Sequence, residues 1–171
     1  MNIKKILFSS LIIIFIIFFA YLYFINLNIK KVEIKGNSLA PYLNSGEKVW
    51  LDYSYEDNNK KIDRDSLITF YFKAQDKELI KFAKAIPGDE FKVDTVNQAL
   101  LINGELMINK EKKIYRLTEQ NIKMLQLYEK DLKGQLSNNM YLVFGNFPDT
   151  IDSGKLGPIL RKNILGKILF K

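Results

Sequence analysis

The sequence predicts a mainly-β domain carried on one N-terminal membrane helix, and three observations predict it. An uncharged run, Ile6–Ile25, lies beside the amino terminus. After it come short β-branched and aromatic segments separated by turn residues, which is the pattern of strands. Only one later stretch, about Thr118–Leu132, has helical spacing. The division falls at residues 1–28 for the N-terminal end and anchor, and 29–171 for the mainly-β domain.

The anchor comes first. Ile6–Ile25 as a helix would span roughly 30 Å, the thickness of a bilayer's hydrocarbon core. Tyr21 and Tyr23 stand near its outer end, where aromatic rings suit headgroup depth. A cleaved secretory peptide would be shorter in its apolar part and would end in small residues. Here Tyr21, Leu22, Tyr23, Phe24 and Ile25 fill that end. The expectation is an uncleaved single-pass anchor in membrane lipid.

The strands follow in order. Lys31–Lys35 alternates charged residues with Val32 and Ile34, as a half-buried strand does. Glu47–Tyr55, Leu67–Lys73, Glu78–Ile86 and Met140–Phe144 are further strand segments. Asn103-Gly104, between Leu100–Ile102 and Leu106–Ile108, predicts a two-residue hairpin, because both residues tolerate positive φ. Thr118–Leu132 reads as an inserted or crossing helix that ends before Gly134. Ile164–Phe170 is placed as the strand that closes the sheet.

Composition then excludes whole classes of chemistry. The 171 residues contain neither cysteine nor histidine. There is no disulfide framework, no thiol nucleophile, no Ser-His-Asp triad and almost no route to a zinc site. No metal and no cofactor is expected. The net charge of +7 suggests nucleic acid, but four lysines (Lys4, Lys5, Lys30, Lys31) and no acid fall in residues 1–31. The excess beyond them is only +3. Lysines beside an apolar run belong to a lipid surface, so no nucleic-acid partner is expected.

Four segments could carry chemistry. Gly36-Asn37-Ser38-Leu39-Ala40-Pro41 follows the first strand, and Ser38 between glycine and proline can sit on an exposed turn with backbone N–H groups nearby. In the strand Leu79–Ile86, Lys81 shares a face with Leu79, Ala83 and Ala85. An apolar face disfavours the charged amine and lowers its pKa, as a lysine acting as a base requires. Lys84 points the other way and is the weaker candidate. Pro87-Gly88-Asp89 makes a tight turn after this strand, and Asp152-Ser153-Gly154-Lys155-Leu156-Gly157-Pro158 follows a later turn.

Taken together these segments resemble bacterial type I signal peptidases, a Ser-Lys serine peptidase clan. Gly-Asn-Ser-Leu-Ala-Pro looks like that family's Ser-Met-x-Pro box, with Leu39 in place of Met. Lys81 stands six residues before Pro87 of Pro-Gly-Asp, the family's spacing for its general base. Asp65-Ser66-Leu67-Ile68 is similar to the box preceding the lysine strand, and Asp152-Ser153 with Gly157 to the closing box. The resemblance implies a signal-peptidase-like β domain on the extracytoplasmic side of the bacterial cytoplasmic (inner) membrane. It implies Ser38 as nucleophile and Lys81 as base. Thr150 falls where the family carries a hydroxyl bonded to the lysine amine. Gly36 stands where some members place an oxyanion-binding serine. The substrate, a signal-peptide-bearing preprotein, would lie extended beside Val32–Gly36 and Leu79–Phe82, touching Val32, Ile34, Leu39, Leu79 and Ile80.

Three departures qualify the match. Phe82 and Asn146 replace an Arg and an acid that pair in the family. Gly154 replaces an Arg after Asp-Ser, which leaves Asp152 to find another partner, Lys155 being the nearest. The short Gly145–Asp152 segment and the Leu-Gly-Pro-Ile ending also resemble the conjugative-transfer branch, whose substrate would be a pilin precursor. A catalytically silent membrane-anchored binding domain and a self-cleaving regulator are the other readings. The second is disfavoured by the anchor and by the lack of a DNA-binding segment.

Overall fold

Helix α1 (Ile3–Asn28) runs directly into β1 (Ile29–Glu33). The computed structural model describes residues 3–57 and 59–170, with the side chains of α1 described over residues 8–23 and at Asn28. Those from Phe8 to Tyr23 are all exposed, and the main contact between α1 and the rest of the chain is with β1. Among the described residues no helix is long and apolar enough to cross a membrane. A span needs about 20 apolar residues, and the expected lysine flank (Lys4, Lys5) and both ends of the run (Ile6, Ile25) lie outside the described side chains. The expected transmembrane helix is therefore present as a helix, but the fold does not establish the span.

Beyond β1 the chain forms β2 (Lys48–Asp52), β3 (Leu67–Phe72), β4 (Lys77–Ala85), β5 (Phe91–Asp94), β6 (Ala99–Ile102) and β7 (Glu105–Leu106). Then come α2 (Glu119–Asp131), β8 (Met140–Phe144), α3 (Ser153–Leu156), β9 (Ile159–Leu160) and β10 (Ile164–Phe170). A seven-stranded antiparallel sheet has the order β1-β2-β10-β3-β4-β8-β9, and β5-β6-β7 make a second, smaller sheet. The fold is mainly β, as expected. β10 does more than close an edge: it lies between β2 and β3 and joins the first hairpin to the central strands. Gly166 permits this, since a Cβ there would come within 2.8 Å of the Asp52 carbonyl.

Two edges of the large sheet matter for the site. Among the described residues β1 pairs only with β2, which leaves its other edge open. β4 pairs with β3 along Lys77–Phe82, but β8 covers only Phe82–Ala85 on its other side. The first half of β4, Lys77–Lys81, therefore also has an open edge.

Three apolar clusters hold the sheets. One joins Ile34, Leu39, Leu43, Val49, Leu67 and Phe82 under the loop after β1. A second joins Ile68, Phe70, Ala83, Val143 and Ile164 within the large sheet. The third packs Phe91, Leu100, Tyr115 and Leu125 against Ala85, Leu142 and Phe144, fastening the small sheet and α2 to β4 and β8. Leu125, fully buried, contributes about 2 kcal/mol by leaving water.

Helix α2 matches the predicted helix closely. Thr118 is its N-cap, with a reciprocal capping box to Asn121. The predicted hairpin also forms, with Asn103 and Gly104 at φ 52° and 83°. β5 and α3 are too short for periodicity to reveal.

Candidate active site

Ser38 sits on the loop that follows β1. Gly36 turns the chain at φ 85°, a conformation that side chains disfavour, and Leu39 and Leu43 plug the loop into the core beneath. From the far side the segment after β8 clamps it. Asn146 N–H donates to the Ser38 carbonyl at 2.7 Å, and its carboxamide donates to the Ala40 carbonyl at 2.7 Å. The approach is so close that a Cβ on Gly145 would lie 2.7 Å from both the Ser38 carbonyl oxygen and Thr150 Oγ1. Ser38 N–H takes part in no hydrogen bond among the described residues.

Lys81 reaches this serine from β4. Its Nζ donates to Ser38 Oγ at 2.6 Å, across 43 residues of sequence. Only 3% of Lys81 is exposed, and no carboxylate lies within ion-pair distance among the described residues. Burial is the main reason that its pKa is pushed down to about 8; the charge of Asp152 opposes the shift and that of Lys77 adds to it.

Asp152 is the buried acid of the site and caps α3. Its Oδ2 accepts from Thr150 Oγ1 at 2.6 Å, Gly145 N–H at 3.1 Å and Tyr115 hydroxyl at 3.1 Å, while Oδ1 accepts from Gly154 N–H at 2.9 Å. Burial raises its pKa, against the pull of those donors. Two expectations change here. Thr150 gives its hydroxyl to Asp152 and makes no hydrogen bond to Lys81. Lys155 pairs with Asp149 at 2.7 Å, and Asp152 is held instead by Thr150, two backbone N–H groups and Tyr115, whose hydroxyl proton is shared with the Phe147 carbonyl at 2.6 Å. Ser153 serves as an anchor, its Oγ accepting from Val143 N–H on β8 at 2.8 Å.

The missing Arg and acid also have a physical account. Phe82 lies in the cluster under the Ser38 loop, with Lys110 Nζ 4.7 Å from its ring centroid. A cation thus remains at this place although none remains in the side chain at 82. Asn146, in the place of the acid, hydrogen-bonds the loop instead of pairing with a charge.

A cavity of about 300 Å³ opens between the free edges of β1 and β4, and Ser38 and Lys81 line one end. All five residues expected to touch substrate (Val32, Ile34, Leu39, Leu79 and Ile80) line it. Sequence reasoning missed Glu78, Thr69 and Leu51 on the same wall, as well as Tyr115 and Asn146. Glu78 had a signal, since it lies two residues from Ile80 on the same strand face. Tyr115 had none.

The chain matches the model of the family described as signal peptidase, peptidase S26, over residues 5–171. No curated protein matches it. Among solved structures it is similar to a signal peptidase I from Enterococcus faecalis V583 at 20% identity and TM-score 0.46, covering 64% of this chain and 98% of the other.

Proposed function

The chain belongs to the signal peptidase family, peptidase S26, and on that premise we propose that it is a membrane-anchored serine endopeptidase with a Ser38-Lys81 dyad. One observation carries the reading: a lysine amine that is buried, unpaired by any carboxylate among the described residues and 2.6 Å from a serine hydroxyl. A charged lysine so placed costs desolvation with no ion pair to offset it. The neutral amine is the form that such a site favours.

In that form the hydrogen bond reverses, and the Ser38 hydroxyl donates to the lone pair of Nζ. Oγ attacks the scissile carbonyl carbon as its proton passes to Lys81, and the oxyanion is stabilised by the free N–H of Ser38. The C–N bond breaks, Lys81 returns the proton to the leaving amine, and an acyl-enzyme remains. A water molecule then gives a proton to Lys81 and attacks the ester, releasing Ser38. Gly36 leaves the oxyanion side to backbone donors. Asp152, held by its four donors, keeps α3 and the Gly145–Thr150 segment against the dyad.

The substrate is a signal-peptide-bearing preprotein, bound as a strand between the open edges of β1 and β4. The uncharged, exposed face of α1 over residues 8–23 supports an anchor that holds the site beside the inner membrane, on its extracytoplasmic side.

The test is cleavage of a preprotein with an Ala-x-Ala site by the full chain in detergent, comparing wild type with Ser38→Ala and Lys81→Ala. Both folded variants are expected to lose cleavage by at least about 10³-fold. Persistence in either sinks the dyad. An inactive wild type would move the test to a pilin precursor.

A further inference from the structure

The Ser38 loop is held through its backbone carbonyls. Those of residues 37–40 are all engaged, and the loop's own turns take two of them. Ala40 N–H donates to the Asn37 carbonyl at 3.0 Å, and Leu43 N–H to that of Leu39 at 3.1 Å. One distant residue takes the other two. Asn146 donates its backbone N–H to the Ser38 carbonyl and its carboxamide to that of Ala40, each at 2.7 Å. The local turns therefore leave the peptide groups after Ser38 and after Ala40 to be oriented by Asn146.

The carboxamide is itself fixed. Only 2% of Asn146 is exposed. Its Oδ1 accepts from Lys110 N–H at 3.1 Å, and Nδ2 also donates to Glu111 Oε1 at 3.3 Å. These partners allow one orientation, because a flip would set Oδ1 against a carbonyl and a carboxylate. Lys110 and Glu111 belong to a turn beyond β7, closed where Asn109 N–H donates to the Lys113 carbonyl at 2.9 Å. Lys110 also reaches the Ser38 loop directly, its Nζ 5.8 Å from the Tyr42 ring centroid.

Resting on the peptidase reading above, we propose that Asn146 is a positioning residue whose carboxamide, set by the turn at residues 109–113, holds the Ser38 loop so that Oγ stays within reach of the Lys81 amine. Asn146 is not among the residues that line the cavity between β1 and β4. Its effect therefore falls on the rate of the chemical step and not on substrate affinity. The amide is needed as a donor. Aspartate has the same shape, but it would bring an acceptor to the Ala40 carbonyl, where Nδ2 now donates at 2.7 Å.

The test compares the full chain in detergent with Asn146→Asp and Asn146→Ala on a preprotein with an Ala-x-Ala site. Both variants keep the backbone N–H at this position. Per folded molecule, both are expected to lose roughly 10- to 100-fold in kcat, Asp the more, with KM within about twofold of wild type, as when a reacting group is misplaced. Amide exchange at Ala40 and Leu43, read by NMR, should be faster in both. Should the buried carboxylate prevent folding, Asn146→Ala decides alone. A wild-type kcat in the folded variants overturns the positioning role and leaves the peptidase reading standing, and so does a loss confined to KM. Faster exchange in the variants, when wild type cleaves no preprotein or pilin precursor, keeps the brace on Ser38 and overturns the peptidase reading. Equal exchange in all three chains overturns the brace whatever the cleavage.

Discussion

The two halves of β4 place two lysines three residues apart in opposite circumstances. Lys81 is buried beside a serine, with no counter-ion in contact among the described residues. Lys84, also buried, meets Asp65 Oδ1 at 2.6 Å, and Lys110 approaches the same carboxylate at 3.6 Å. The open half of the strand has cavity on one side; the closed half is paired on both. Burial alone does not make a base. What separates the two lysines is that the acid near Lys81 is already satisfied by Thr150, Tyr115 and two backbone N–H groups, while the acid near Lys84 is aimed at the amine.

The comparison breaks most visibly in activity. If Lys81 acts as proposed, Lys81→Met, which keeps the length and removes the amine, should cost at least about 10³-fold in kcat/KM. Retained cleavage would show that the open half of β4 is no more catalytic than the closed half. Next in size is pH dependence. With Lys81 at about 8, kcat/KM should rise about tenfold per pH unit below that value and level off above it. A profile flat from pH 6 to 9 would mean that the amine is not the titrating base.

Removing Lys81 should move stability and activity in opposite directions. The folded-state pKa of Lys81 lies below its ordinary 10.5, so between about 8 and 10.5 the unfolded chain binds a proton that the folded chain lacks. Stability from this group therefore rises with pH across that window, and its full cost applies at neutral pH. Lys81→Met should stabilise the fold by up to about 3 kcal/mol at pH 7, measured by urea denaturation. The smallest effect belongs to the other lysine. Asp65 has its pKa lowered: burial raises it, but the hydrogen bond and charge of Lys84 outweigh that. Its contribution is present above the unfolded carboxylate pKa and is lost as pH falls through the folded value. Because Asp65 is half exposed, Asp65→Asn should cost only about 1 kcal/mol at pH 7, with the rising limb of the pH profile unmoved. Asparagine tolerates the φ of 62° found there.

How much of this was legible in sequence depends on whether the information was local. β8 and β10 match their predicted limits, and the Asn103-Gly104 turn and Thr118 cap announce themselves by backbone chemistry. Ser38 and Lys81 were readable because their neighbours carry a known spacing. Tyr115 was not, since it meets Asp152 across 37 residues and nothing around it marks a hydroxyl donor. Asn146 looked like a lost charge, and only the fold shows its carboxamide reaching Ala40. Lys155 was nearest to Asp152 in sequence, but Asp149 lies on its side of the helix turn. The role of Gly145 is invisible until the Ser38 carbonyl is placed against it.

The two unfilled edges at β1 and β4 have a consequence for turnover. On the proposed reading a substrate has two arms joined at the scissile bond, one lying between these edges and one running on past Ser38 at the end of the cavity, each raising the effective concentration of the other. Hydrolysis severs the arms. Each product then holds on through its own contacts alone, and the affinity falls by the avidity that linkage supplied. Scission itself thus releases what an intact strand would keep, and no moving lid is required to empty the site.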